Sequence, residues 1–261
     1  VRPDGALLVM VVDLEPEAAL DLAETALGAW AASGTGGAVE APPAPTRAGG
    51  LLLVDRPGAV QSTLRLAGPA VGRSDPAYAP LVLANLVFGG YFSSRLVANI
   101  REKRGYTYSP SSSVEHARAG SRVVIGADVS TGVTAPALLE TRYELGRIAT
   151  LPVEAAELAA ARRYATGVLA LATATAADLA STLVALLTAG VGPQWLHEHP
   201  RDLQAATEDD VLAAAAAHLA PARLTTVVVG DAGVVRAGLE TLDVVETLEV
   251  VDTEDEAPAG G

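Results

Sequence analysis

Residues 89–109 read GGYFSSRLVANIREKRGYTYS. Ser93 and Ser94 are of the type that caps a helix start. Leu96, Val97 and Ile100 form an apolar stripe at helical spacing, and Arg101, Lys103 and Arg104 crowd the last turn, where cations complement the negative end of the dipole. Gly105 then ends the helix. Tyr106 and Tyr108 follow in an extended segment, where a period of two predicts both rings on one face and Thr107 on the other. The stretch is a helix-to-strand turn that presents an arginine and a tyrosine seven positions apart.

The flanking segments define the class. Before the turn, 51–55 (LLLVD) and 60–67 (VQSTLRLA) read as strands joined at Arg56-Pro57-Gly58, which predicts a hairpin. Helices fit 76–88 and 92–104, separated by Gly89-Gly90. After the turn, strands fit 106–117 and 121–129, joined at Ala119-Gly120. Helices fit 134–149, 153–171, 176–189 and 208–218, followed by a strand at 223–230 and a short helix from Asp231. Strands and helices without regular alternation predict an α+β domain, an antiparallel sheet covered on one face by helices.

Composition places the boundaries. Residues 6–13 (ALLVMVVD) read as a buried strand, and Pro16 opens a helix carrying Leu20, Ala23, Leu27 and Trp30. Residues 1–32 are therefore a strand-helix unit of their own. Residues 33–50, rich in Gly, Pro and small polar residues, read as a linker. The main domain spans 51–246, and 247–261 reads as an acidic, disordered tail.

The 31 acidic residues against 18 basic ones give a net charge of -13, which repels polyphosphates and argues against nucleic-acid partners. No run of about 18 uninterrupted apolar residues appears, so no membrane span is expected. The start lacks the basic and apolar regions of a signal peptide, which makes a cytoplasmic location the expectation. With no cysteine, disulfides and thiolate metal sites are excluded.

The pattern Gly-Gly-x-x-Ser-Ser-Arg-Leu, continued by Ile-Arg-Glu-Lys-Arg-Gly-x-x-Tyr-Ser, resembles the pitrilysin/insulinase zinc peptidases, including the mitochondrial processing peptidases. The resemblance extends over roughly residues 1–245. It implies a two-layer, processing-peptidase-like domain preceded by the last strand-helix unit of a similar domain. It also implies that Arg101 and Tyr108 bind the substrate backbone near the scissile bond. A guanidinium presents a rigid fork of donors to a peptide carbonyl, and a phenol adds one more.

The family's zinc motif, His-x-x-Glu-His on a helix, is absent. The four histidines are His116, His197, His199 and His218, of which only the middle pair is close. Their spacing points the rings apart on a helix, and Pro200 disfavours helix at His199, so an exposed loop is expected there. No Gly-x-Ser-x-Gly elbow or phosphate-binding glycine loop is present. Glu102 reads as a local ion-pair partner, Ser94 and Arg95 as shapers of the preceding turn, and Glu115 and His116 as a solvated strand end. The chain alone is thus expected to hold no catalytic residue and no metal. The resemblance implies zinc on a partner domain or subunit bearing His-x-x-Glu-His, with which this chain cleaves an extended peptide. The alternative is a non-catalytic structural subunit or peptide-binding module of the same fold.

Overall fold

The computed structural model of this chain describes residues 3, 5–30, 49–117, 119–242 and 248–252. Alternation along the strands sets the layers. In β2 (Gln61–Ala70), Ser62, Leu64 and Leu66 are buried while Gln61 and Arg65 are exposed. In β4 (Gly120–Ser130), Val123, Ile125, Ala127 and Val129 take the same buried face. β1 (Leu51–Asp55) and β5 (Thr225–Gly230) add Leu51, Leu53 and Val228 to it. With the edge strands β3 (Ser111–Ala117) and β6 (Leu248–Asp252), the order is β3-β4-β2-β5-β1-β6. A sheet buried on one face and open on the other follows from this period of two.

The class is α+β as expected, but the sheet is mixed: β1 runs parallel to both β5 and β6, while the remaining neighbours are antiparallel. Two expectations fail for the same reason. β1 and β2 are not a hairpin, because β5 inserts between them and pairs with both. The turn that looks like a hairpin instead ties to the far end of the chain: the Gly58 amide donates to Asp231 Oδ2 at 2.8 Å, and the Ala232 amide to Asp55 Oδ1 at 2.8 Å. Leu248–Asp252, expected in the disordered tail, form β6 along the outer edge of β1. Residues 253–261 and the linker residues 33–48 lie outside the described residues. The β3-β4 hairpin pairs Ala117 with Gly120, as the sequence predicts.

Helices cover the buried face. α2 (Tyr78–Asn85) runs into a wide π turn at Leu86–Gly90. Beyond β4 come α3 (Thr134–Thr150), α4 (Ala155–Leu171), α5 (Ala176–Thr188), α6 (Trp195–Ala205), α7 (Glu208–His218) and, after β5, α8 (Ala232–Glu240). Capping boxes at Glu154 with Glu157 and at Thr207 with Asp210 fix the starts of α4 and α7 by satisfying free amides. Leu81, Leu83, Phe88, Leu138, Leu145 and Ile148 are fully buried against Leu53, Leu64, Leu66 and Ile125 of the sheet. Among the described residues, no single helix is long and apolar enough to cross a membrane.

α6 corrects the expected loop at His197-Glu198-His199-Pro200. Pro200 sits inside the helix and removes one backbone bond, yet the neighbouring side chains hold the helix. His199 stacks on Trp195 one turn earlier at 4.2 Å between ring centroids, and Leu203 is fully buried one turn later. His197 is exposed while His199 is buried, so the two rings do point apart.

The N-terminal segment differs in kind. α1 (Pro16–Leu27) forms behind Pro16 as expected. The buried strand expected at 6–13 is not seen: residues 6–12 join no sheet among the described residues, and Leu7, Leu8, Met10 and Val12 are exposed.

Candidate functional site

Arg101 lies on a second π-type segment, Val97–Lys103, in which the backbone turn is wider than in an α-helix. The Arg104 amide donates to the Asn99 carbonyl five residues back at 3.1 Å, and the Tyr106 amide to Ile100 at 2.8 Å. Such turns are uncommon and recur at functional sites. Gly105 closes the helix at φ +64°, a conformation that costs other residues a Cβ clash. Gly89 serves closeness instead of turning: a Cβ there would lie 2.9 Å from Ser112 Cβ on β3. Beside it, Asn85 and Ser112 form a buried pair, with Asn85 Nδ2 donating to the Ser112 carbonyl at 3.2 Å and Ser112 Oγ donating to Asn85 Oδ1 at 2.5 Å.

Leu96 and Ile100 are fully buried and anchor the π segment to the core. Its polar side is tied to two helices. Asn99 donates to Glu140 and Glu144 of α3, both at 2.9 Å. Arg104 pairs with Glu140, and Arg147 with Glu144 at 2.8 Å. Arg95 makes a two-pronged pair with Glu157 of α4 at 2.8 and 2.6 Å. That hydrogen-bonded pair raises the Arg95 pKa and lowers that of Glu157, so both stay charged. Arg95 therefore does more than shape a turn; it bolts the motif to α4. Ser94 is buried and its hydroxyl makes no hydrogen bond to protein, so it caps nothing.

On this scaffold the two sequence-predicted residues meet. The Arg101 guanidinium carbon lies 4.6 Å from the centroid of the Tyr108 ring, and its Nε pairs with Glu102 at 3.1 Å, as the local reading of Glu102 expects. The expectation that both tyrosines share a face does not hold. Tyr106 packs against the core beneath Arg104, whereas Tyr108 is 80% exposed. The cause is that 106–110 is not yet a strand; β3 begins at Ser111. Thr107 Oγ1 donates to the Asp128 carbonyl at 2.7 Å, which pins the segment to β4 and throws Tyr108 outward. Phe92, which the sequence reading passed over, is 64% exposed and lies 4.7 Å from the Arg101 guanidinium carbon. Its signal was its place after Tyr91, which turns inward against Tyr164 at 5.1 Å.

Among the described residues no group of three or more His, Asp or Glu is placed to hold a metal. The Glu115–Arg122 pair across β3 and β4, at 2.8 Å, is a solvated strand-end contact as expected. His116 is not: its Nδ1 meets Ser121 Oγ at 2.8 Å and its Nε2 meets the Tyr78 hydroxyl at 3.3 Å. Tyr78 in turn stacks obliquely on His199 at 5.4 Å, and Arg73 lies over Trp195 at 5.8 Å. Burial holds the His116 pKa below its ordinary value and pushes that of His199 down to about 4. This cluster joins segments far apart in sequence, and no local motif announces it.

Residues 1–164 match the sequence profile of the peptidase M16 inactive domain. The fold matches the crystal structure of a peptidase M16 inactive domain from Pseudomonas fluorescens with TM-score 0.73 and 26% identity, over 84% of this chain and 52% of that one. A protease from Helicobacter pylori superposes with TM-score 0.75 at 15% identity, over 84% of this chain and 53% of the other. A chain of complex III2 from Candida albicans shares the fold at TM-score 0.58 and 16% identity, over 70% of this chain and 46% of that one. The present chain thus spans about half the length of these solved relatives. No curated protein matches it. With the profile covering more than half of the residues, the chain belongs to the peptidase M16 inactive-domain family.

Proposed function

We propose that this chain is the substrate-gripping part of a zinc metalloendopeptidase, binding an extended peptide through Arg101 and Tyr108 and completing an active site whose His-x-x-Glu-His lies on another domain or subunit. The observation that carries this reading is the contact of the two side chains: the Arg101 guanidinium carbon lies 4.6 Å from the centre of the Tyr108 ring, so one extended peptide can touch both. The Arg101 Nε is engaged by Glu102, which leaves the terminal N–H groups of the fork to a carbonyl oxygen. The Tyr108 hydroxyl, on an 80% exposed side chain, supplies a further donor. The ion pairs beneath hold these donors in place before a substrate arrives, which lowers the cost of ordering them.

Zinc would supply a polarising charge and an activated water when bound on the partner. The described residues of this chain do not fit a zinc site, so their part is to bind and orient. The exposed apolar residues of 6–30 favour a partner at that end. Leu7, Leu8, Leu20 and Leu22 are each more than half exposed, a pattern that marks an uncovered contact surface. The likeness to a complex III2 chain supports a second reading, a structural subunit without substrate, in which the Arg101–Tyr108 arrangement has no use.

The test is a peptide-cleavage assay of the chain reconstituted with a His-x-x-Glu-His partner domain. Arg101→Ala and Tyr108→Phe are each expected to lower turnover by about 100-fold, as loss of one oriented donor commonly does. Full activity in both variants removes the assigned roles, and no cleavage by the reconstituted wild type leaves the structural subunit.

A further inference from the structure

We infer that Phe92 is the third member of the grip and makes it selective for peptides that carry an aromatic side chain beside the held peptide unit. This inference rests on the reading of Arg101 and Tyr108 given above and adds a residue and a substrate class to it. The Arg101 guanidinium sits 4.7 Å from the Phe92 centroid and 4.6 Å from the Tyr108 centroid. Two rings against one cation restrict its plane, so its free N–H groups leave the slot at the edge between the rings. Phe92 is thus a positioning residue for Arg101.

The same geometry leaves apolar surface unsatisfied. Phe92 and Tyr108 remain 64% and 80% exposed although both touch Arg101. The neighbouring residues do not explain Phe92's outward setting as packing, since Tyr91 turns inward and Ser94 is buried. A peptide whose carbonyl is held by Arg101 at that edge passes beside both rings. An aromatic side chain on it buries ring surface and stacks, whereas alanine leaves both rings wet.

The experiment is a ¹H–¹⁵N NMR titration of the full chain with two capped pentapeptides, Ala-Ala-Phe-Ala-Ala and penta-alanine, following the backbone amides of residues 89–109 for binding and, where Arg101 is present, its Nε–H signal. For the wild type, the phenylalanine peptide is expected to bind about 5-fold tighter. Phe92→Ala should abolish that preference and shift the Arg101 signal of the free protein through loss of a ring current, while Phe92→Trp should retain both. Arg101→Ala should weaken both peptides alike. If Phe92→Ala keeps the preference while Arg101→Ala loses binding, the inference about Phe92 falls and the grip stands. If Arg101→Ala binds both peptides as the wild type does, or the wild type binds neither, the grip falls and Phe92 with it.

Discussion

The segment 6–30 and the body at 51–242 contain the same kinds of residue with opposite fates. Leu20 and Leu22 of α1 are 65% and 58% exposed, whereas Leu138 and Leu145 of α3 are 0% exposed. Both helices read as amphipathic in sequence. An apolar stripe states that a surface needs cover but not what covers it. In the body the cover is the sheet of the same chain; at 6–30 the described residues supply none, and the proposed zinc-bearing partner would fit there.

Breaking the contrast begins in the body. Leu145→Ala opens a cavity under α3 and should cost about 2–5 kcal/mol by chemical denaturation of the isolated chain. An effect below about 1 kcal/mol would mean that α3 is not the central cover. Acidification probes the same body through His199. Its folded pKa of about 4 lies below the ordinary value near 6.5, so below pH 6.5 the unfolded chain takes up a proton that the folded chain refuses. Stability from this residue is therefore complete above pH 6.5 and drains away as pH falls toward 4. His199→Phe keeps a ring against Trp195 and should flatten that part of the thermal-melting profile; an unchanged slope would assign the acid loss elsewhere. The smallest effect belongs to the N-terminal segment. Leu20→Gln should alter the stability of the isolated chain by less than about 0.5 kcal/mol, and a loss matching Leu145→Ala would show that α1 shares the body's core.

What the sequence could reveal follows the range of the interactions. The helix at Glu208–His218 starts where Thr207 and Asp210 satisfy the first amides, a local device that can be read residue by residue. The β3-β4 turn at Gly120 is equally local. β1 beside β5 is not: Leu51 pairs with Thr226 across most of the chain, and the Pro57-Gly58 turn looks the same whether or not a strand slips in behind it. α6 was hidden because Pro200 speaks locally against helix while the Trp195–His199 stack and Leu203 speak for it through tertiary burial. At the candidate site, Arg101 and Tyr108 were singled out by the family resemblance, and the structure adds that the two side chains touch. The outward turn of Tyr108 depends on the Thr107 bond to β4, and the contact of Phe92 depends on the wide helical turn, so neither shows in a linear pattern.

That wide turn makes the site a matter of counting. Val97–Lys103 accommodates its residues with bonds that reach five positions back. Shortening the segment by a single residue would replace the wide turn with ordinary α spacing and re-aim the side chains within it. Lys103 and Arg104 could still find solvent, but the guanidinium now lodged between two rings would point elsewhere. A change of one residue in length would be enough to take the proposed grip apart.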